Sequence, residues 1–249
     1  VDATLGEFLR TRRRQAVAPV GERRRTPGLR REEVATAAAV SHDYYTRLEQ
    51  GRERNPSDDV LAAIGDSLGF GPDDHAYARA LRDRPGIGAG IDIDAARMSR
   101  LVESLRPNPA YVLDQVSNVV AINSEGAELF TGLMDHPRPN TCRYLLTDPR
   151  ARERFVDWED NARRSVAALR AANADVADPG LDALTTELSA ASTTFGEWWA
   201  SFAVAPRRAD AKRFRDTDGR VITYPYESLR LPDPGLRMTV YLAAACQID

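Results

Sequence analysis

Lysine is nearly missing from this chain: Lys212 stands alone against 33 arginines, a bias that reflects a GC-rich coding sequence more than a physical demand. Cysteine is scarce as well. Cys142 and Cys246 lie far apart with no spacing partner, which supports neither a disulfide framework nor a zinc motif. One bridge between them stays open, but a reducing cytoplasm fits better. The three histidines, His42, His75 and His136, are scattered, and there is no H-E-x-x-H pair, nucleophile elbow, P-loop or Gly-rich dinucleotide fingerprint. GIGAG at 86–90 is too short for the last of these and reads as linker. So little of a catalytic site can be assembled that no enzyme, metal or cofactor is expected. No apolar run approaches the ~20 residues of a membrane span and no signal-peptide core opens the chain, so no membrane partner is expected. Internal repeats and low-complexity tracts are missing too.

What is present is ordinary in bulk and unusual in one place. With 249 residues, 43% apolar and 29% charged, the chain can build two domains with real cores. The unusual place is REEVATAAAVSHDYYTRLEQG at 31–51. Val34, Ala35 and Ala38, then Val40, Tyr45 and Leu48, follow helical spacing on either side of a break at 39–41. Ser41 can N-cap a second helix, and Gly51 can take the left-handed conformation that ends it. This is a helix-turn-helix pattern. Its second helix turns Tyr45 and Leu48 inward and leaves His42, Asp43, Tyr44, Thr46 and Arg47 on a face able to enter a major groove. Arg47 could pair with guanine O6/N7, and His42 or Tyr44 could meet base edges or a thymine methyl. Asp43 would repel phosphate, so it must face a cytosine amino group or tether a neighbouring Arg.

The net charge of −3 argues against a generic polyanion binder, yet residues 10–31 hold nine arginines and a single acid, Glu22. A Gly- and Pro-punctuated loop runs into the motif, so Arg23, Arg24, Arg25, Arg30 and Arg31 can straddle phosphates beside the recognition helix, with Arg52 and Arg54 as a second clamp beyond it. A charge run is usually a solvated face; one that flanks both ends of a recognition helix points to double-stranded DNA.

At this point the chain resembles a known family. LGEFLRTRRR (5–14), RRRTPGLRREEVA (23–35), YYTRLEQGR (44–52) and NPSDDVLAAIGDSLGF (55–70) look like XRE-type helix-turn-helix regulators of the MmyB-like group. So do PAYVLD (109–114), WEDNARRSVAALRA (158–171), LSAASTTFGEWWASFAV (188–204), KRFRDTDGRVITYPYESLRL (212–231) and MTVYLAA (238–244). The resemblance implies a transcription regulator with an N-terminal DNA-binding domain and a C-terminal PAS-like domain holding a small apolar, fatty-acid-like effector. Three positions depart from the pattern. Ala39 stands where Gly is usual at a position favouring positive φ, at a cost on the order of 1 kcal/mol. Phe202 and Asp216 stand where His is expected.

Helices are expected at 4–14, 31–38, 42–50, 57–68 and 73–83, an all-α bundle over residues 1–84. RPGIGAGID (84–92) marks the boundary, giving a linker over 85–93 and a second domain over 94–249. There, Met98, Leu101, Val102 and Leu105 share one helix face, suited to a connector, a dimer contact or packing on its own domain. Short strands at 111–115 and 118–123 precede a helix at 125–133, a loop at 137–143, and two long helices at 149–173 and 179–200. The last fifty residues change period. Asp218-Gly219 reads as a two-residue hairpin turn, and further strands are expected at 228–231 and 238–244. An antiparallel sheet covered by helices, an α+β domain, follows from the residues and agrees with the PAS-like expectation.

Aromatic stripes at helical spacing usually fill a solid core. The resemblance implies a pocket instead, with Tyr111, Phe130, Trp158, Phe195, Trp199 and Tyr241 as lining. Arg163 or Arg170 could pair with a carboxylate head or lie on a solvated helix face. The alternative is a C-terminal domain that serves as a protein-interaction or dimerisation module without a ligand. A cytoplasmic homodimer on a pseudo-palindromic operator is the expected working form.

Overall fold

The computed structural model describes residues 4–17, 28–84, 93–174, 178, 180–205, 210–233, 235–243 and 247–248. The chain divides into two compact units, Val1–Gly86 with Ser201–Val204, and Ile87–Ala200 with Ala205–Asp249.

The first unit contains helices α1 (Leu5–Gln15), α2 (Arg31–Ala37), α3 (His42–Glu49), α4 (Asp58–Ser67) and α5 (Pro72–Asp83), each within a residue or two of its sequence expectation. Their starts are local. Thr4 accepts from Glu7 N at 3.2 Å while Glu7 reaches back to the Thr4 amide, a reciprocal capping box. Ser41 and Ser57 accept from the amides of Tyr44 and Val60, and Pro72 occupies the first turn of α5, where its missing N–H costs nothing. The buried faces meet at Phe8, Leu9, Val34, Tyr45, Leu48 and Ile64, each fully excluded from solvent. Gly6 lets α1 approach the end of α3: a Cβ there would lie 2.7 Å from the Glu49 carbonyl oxygen.

In the second unit, α6 (Ala95–Glu103) precedes β1 (Ala110–Leu113) and β2 (Val119–Ile122). Next come α7 (Ser124–Leu129), a 3-10 turn at Leu133–Asp135, α8 (Thr141–Thr147), α9 (Pro149–Arg154), α10 (Trp158–Ala172), α11 (Gly180–Ala191) and α12 (Thr193–Ala200). β3 (Asp210–Arg215), β4 (Val221–Arg230), β5 (Arg237–Tyr241) and β6 (Gln247–Ile248) close the order. The sheet runs β2-β1-β5-β4-β3 with antiparallel pairs, and β6 adds to β4. Alternation splits its faces. Tyr111, Leu113, Phe214, Tyr226 and Tyr241 point into a large aromatic core, while Ala110, Val112 and Met238 meet Met98 and Val102 of α6 on the other side. The α6 stripe therefore packs on its own domain.

Five local expectations change. The stretch expected as loop at 137–143 gives way at Thr141 to α8, because Asn140 accepts from the amides of Cys142 and Arg143, both at 3.0 Å. The helix expected at 149–173 breaks at 155–157, where Val156 N–H donates to the Arg213 carbonyl and Phe155 bridges Phe214, so sheet pairing overrides helical continuity. The helix expected at 179–200 breaks at Ser192, which accepts from Phe195 N and restarts the helix as α12. The expected two-residue turn is a longer one in which only Gly219 has positive φ, at 84°, and the strand expected at 228–231 is the end of the ten-residue β4. Cys142 is a buried free thiol, whereas Cys246 lies outside the described residues.

Candidate functional site

The helix-turn-helix begins with α2 and turns through Ala39, which adopts φ 54°, the left-handed conformation expected at the family's usual glycine. Val40 N–H closes the turn on the Ala35 carbonyl at 2.9 Å. Helix α3 then buries Tyr45, Leu48 and Glu49 and exposes His42, Asp43 and Arg47. Tyr44 is half-buried. Thr46 is also half-buried and its hydroxyl oxygen is inaccessible, so only its methyl could touch a base. Asp43 and Arg47 form an i,i+4 ion pair on the open face, which satisfies the second of the two roles open to Asp43.

A buried charge holds this helix in place, and sequence reasoning missed it. The Glu49 side chain is fully excluded from solvent, receives Arg13 Nε at 2.5 Å and Nη2 at 3.1 Å, and receives Arg31 Nε at 2.7 Å. Burial alone would raise the Glu49 carboxyl, but the hydrogen bonds from Arg13 and Arg31 outweigh it and hold it below the usual carboxylate range. Arg13 also donates to the Leu29 carbonyl at 2.8 Å, and Arg10 to the Glu49 carbonyl at 3.2 Å. Two arginines of the basic stretch thus clamp α1, α2 and α3 together. The available signal was an acid at the inward position next to Leu48.

The remaining phosphate candidates differ in setting. Arg30 is exposed and lies 3.5 Å from Glu32; Arg31, engaged with Glu49, keeps 39% of its side chain exposed. Arg52 and Arg54 are exposed just past α3, with Arg54 Nε donating to the Gly51 carbonyl at 3.2 Å. Arg23, Arg24 and Arg25 lie outside the described residues.

In the second unit, Tyr111, Phe130 and Tyr241 are buried and mutually packed, with ring centroids 5.4 to 6.2 Å apart. Phe155, together with Phe214, Tyr144 and Tyr226, which the sequence reading did not single out, completes this core; Phe155 belongs to the apolar stripe expected over 149–173. Phe195 stacks on Trp199 at 5.8 Å, and Trp158 Nε1–H donates to the Leu145 carbonyl at 2.6 Å. Arg163 lies on a solvated face against Glu159 at 2.9 Å. Arg170 does not: it is buried, donates to the Trp199 carbonyl, and lies 3.9 Å over the Trp199 ring. Phe202, which belongs to the first unit, is half-buried with φ 54°. Asp216 accepts the amides of Asp218 and Arg220 at 2.9 and 2.8 Å, so the residue replacing the expected His shapes the β3–β4 turn. An open cleft of about 560 Å³ beside that turn is bordered by Glu128, Met134, Asp135 and Arg154, and by none of the residues predicted to line a pocket.

Among the described residues, no helix is long and apolar enough to cross a membrane. Residues 95–247 match the profile of the MmyB-like transcription regulator ligand binding domain, and residues 4–78 match that of a helix-turn-helix domain. No curated protein matches the chain.

Proposed function

The chain belongs to the family of MmyB-like transcription regulators, and from that premise we propose that its α3 reads a specific double-stranded operator while its C-terminal domain responds to a small apolar, fatty-acid-like effector. DNA binding is the business of the helix-turn-helix. The observation that carries the base-reading assignment is the sidedness of α3: Tyr45, Leu48 and Glu49 are buried, while His42, Asp43 and Arg47 face outward. Arg47 reads guanine with Asp43 orienting its guanidinium, and Arg30, Arg52 and Arg54 contact phosphates. Two chains pair as a cytoplasmic homodimer and place their recognition helices about 34 Å apart on a pseudo-palindrome. The effector acts through differential affinity for DNA-competent and incompetent arrangements, typically about 1–3 kcal/mol of coupling. No catalysis is involved.

The test is operator selection from random duplexes followed by fluorescence anisotropy with Arg47→Ala and Arg52→Ala. Arg47→Ala is expected to weaken the selected site by ~1–3 kcal/mol and relax its sequence preference; Arg52→Ala should weaken all sequences alike and flatten the salt dependence. Unchanged selectivity in Arg47→Ala refutes the base-reading assignment. A second reading has its own support: the mutual packing of Tyr111, Phe130 and Tyr241 favours a C-terminal domain that serves as an interaction or dimerisation module. Mass spectrometry of the denatured purified protein decides between them, because a stoichiometric apolar compound that shifts operator affinity belongs only to the first.

A further inference from the structure

The chain enters its first unit twice. Besides Val1–Gly86, that unit contains Ser201–Val204, the four residues that follow α12, while Ala200 and Ala205 on either side belong to the second unit. Both flanks are held to α10: Arg170 donates to the Trp199 carbonyl, and Ala205 N–H donates to the Ala167 carbonyl at 3.5 Å. The excursion is short and tethered at each end.

Within the first unit this segment is bonded to α1 and packed on it. Gln15 Nε2 donates to the Ser201 carbonyl at 2.9 Å, one of the helix-end carbonyls that α12 leaves without an internal partner, and the Phe202 ring lies 6.4 Å from that of Phe8. Phe8 is fully buried and itself packs on Phe70 and Tyr77, with centroids 5.2 and 5.0 Å away, so Phe202 extends the aromatic core of the DNA-binding unit. Helix α1 is also the one that Arg10 and Arg13 tie to Glu49 at the end of α3.

Phe202 is seated there against its own backbone preference. Its φ of 54° is the left-handed conformation that commonly ends a helix, but glycine usually supplies it and a bulky side chain disfavours it. Such a residue persists only where its surroundings over-determine it, and strained residues gather at switch segments. Here the surroundings are divided. The ring is held by the first unit, and the backbone on both sides is held by the second. A shift at the end of α12 therefore acts directly on the seat of Phe202.

We propose that Ser201–Val204 is the strap through which the C-terminal domain controls DNA binding. Seated against Phe8 and Gln15, it steadies α1 and through α1 the recognition helix α3; withdrawn, it leaves α3 less firmly placed for its operator. The same two helices that tether the strap, α10 and α12, supply Val166, Leu169 and Phe195 to the large buried core of the second unit, so a change in that core reaches the strap through them. The regulatory half of this assignment rests on the reading of the C-terminal domain as an effector receptor; the dependence of operator affinity on Phe202 does not.

The test measures operator affinity of the full chain by anisotropy without denaturant, where both units are folded, for Phe202→Ala and Phe202→Tyr. Phe202→Ala is expected to weaken the selected operator about tenfold, inside the roughly 5- to 150-fold span of allosteric couplings, whereas Phe202→Tyr, which keeps the ring, should stay within about twofold of the parent. Urea unfolding of Phe202→Ala should lower the first-unit transition seen by dichroism and leave the tryptophan transition in place. Decanoate is then titrated as the effector probe, its binding read from Trp158, Trp198 and Trp199, which adjoin the second-unit core. It should change operator affinity in the parent, and in Phe202→Ala it should bind as before with that change lost, a result that a purely structural role for the ring does not produce. Unchanged operator affinity in Phe202→Ala, an equal loss in Phe202→Tyr, a shift confined to the tryptophan transition, or an undiminished decanoate effect in Phe202→Ala overturns the strap. Failure of decanoate to bind the parent counts against the effector reading alone, and the Phe202 variants still decide the strap.

Discussion

Replacing Ala39 by glycine should make the DNA-binding unit more stable, and the gain can be worked from the backbone. Ala39 adopts φ 54° in the turn between α2 and α3. An L-residue with a Cβ pays about 1–2 kcal/mol in that region, whereas glycine pays none of it. Glycine has more conformational freedom to lose on folding, which returns about 0.5–1 kcal/mol to the unfolded state. The Ala39 methyl is exposed, so its removal leaves no cavity. The net expectation for Ala39→Gly is a stabilisation of ~0.5–1 kcal/mol, or a urea midpoint raised by roughly 0.3–0.5 M at an m-value of about 2 kcal/mol/M. All three tryptophans lie at 158 and beyond, in the second unit, so their fluorescence is blind to this change. Far-UV circular dichroism follows both units. The transition that moves should appear in the dichroism and not in the tryptophan emission. A lowered midpoint, or an equal shift of the tryptophan transition, refutes the reasoning, since the first denies strain at Ala39 and the second denies that it is local.

Glu49→Gln removes the charge that neutralises Arg13 and Arg31, and breaking a buried pair of this kind should cost about 3–5 kcal/mol, read as the loss of the first-unit transition in urea. Gly6→Ala should cost more than the ~1 kcal/mol that helix propensity would return, because its methyl would meet the carbonyls of Leu48 and Glu49; operator affinity should fall with stability. Acid should destabilise both units: the folded-state carboxyls of Glu49 and Asp148 lie below their unfolded values, Asp148 at about 2 through its Arg150 hydrogen bonds. Their contribution is therefore fully present above about pH 5 and is lost as pH falls through the folded values, so urea midpoints should be level near neutrality and decline from about pH 4.5 downward. A midpoint that rises on acidification contradicts both assignments.

Where an element begins, and which face it buries, was legible wherever the cause is short-range. Ser41 and Ser57 cap their helices whatever surrounds them, the 3.6-residue spacing of Val34, Tyr45 and Leu48 allows one buried side, and Gly219 takes a positive φ because its turn requires one. The two-domain architecture, the sidedness of α3 and the unfavourable alanine at position 39 all follow from such local rules. Tertiary structure alone decided the pairings between distant positions. Glu49 is an ordinary helix residue until α1 and α2 bring Arg13 and Arg31 to it, 36 and 18 residues away. Helical periodicity carries straight through 155–157, and the break exists only because β3 arrives to pair with Phe155 and Val156. Arg170 is indistinguishable from Arg163 in the sequence, yet one is buried against Trp199 and the other is solvated. The reason is the same throughout: burial is set by the elements that dock on a residue, and docking depends on the whole fold while capping and periodicity depend on a few neighbours.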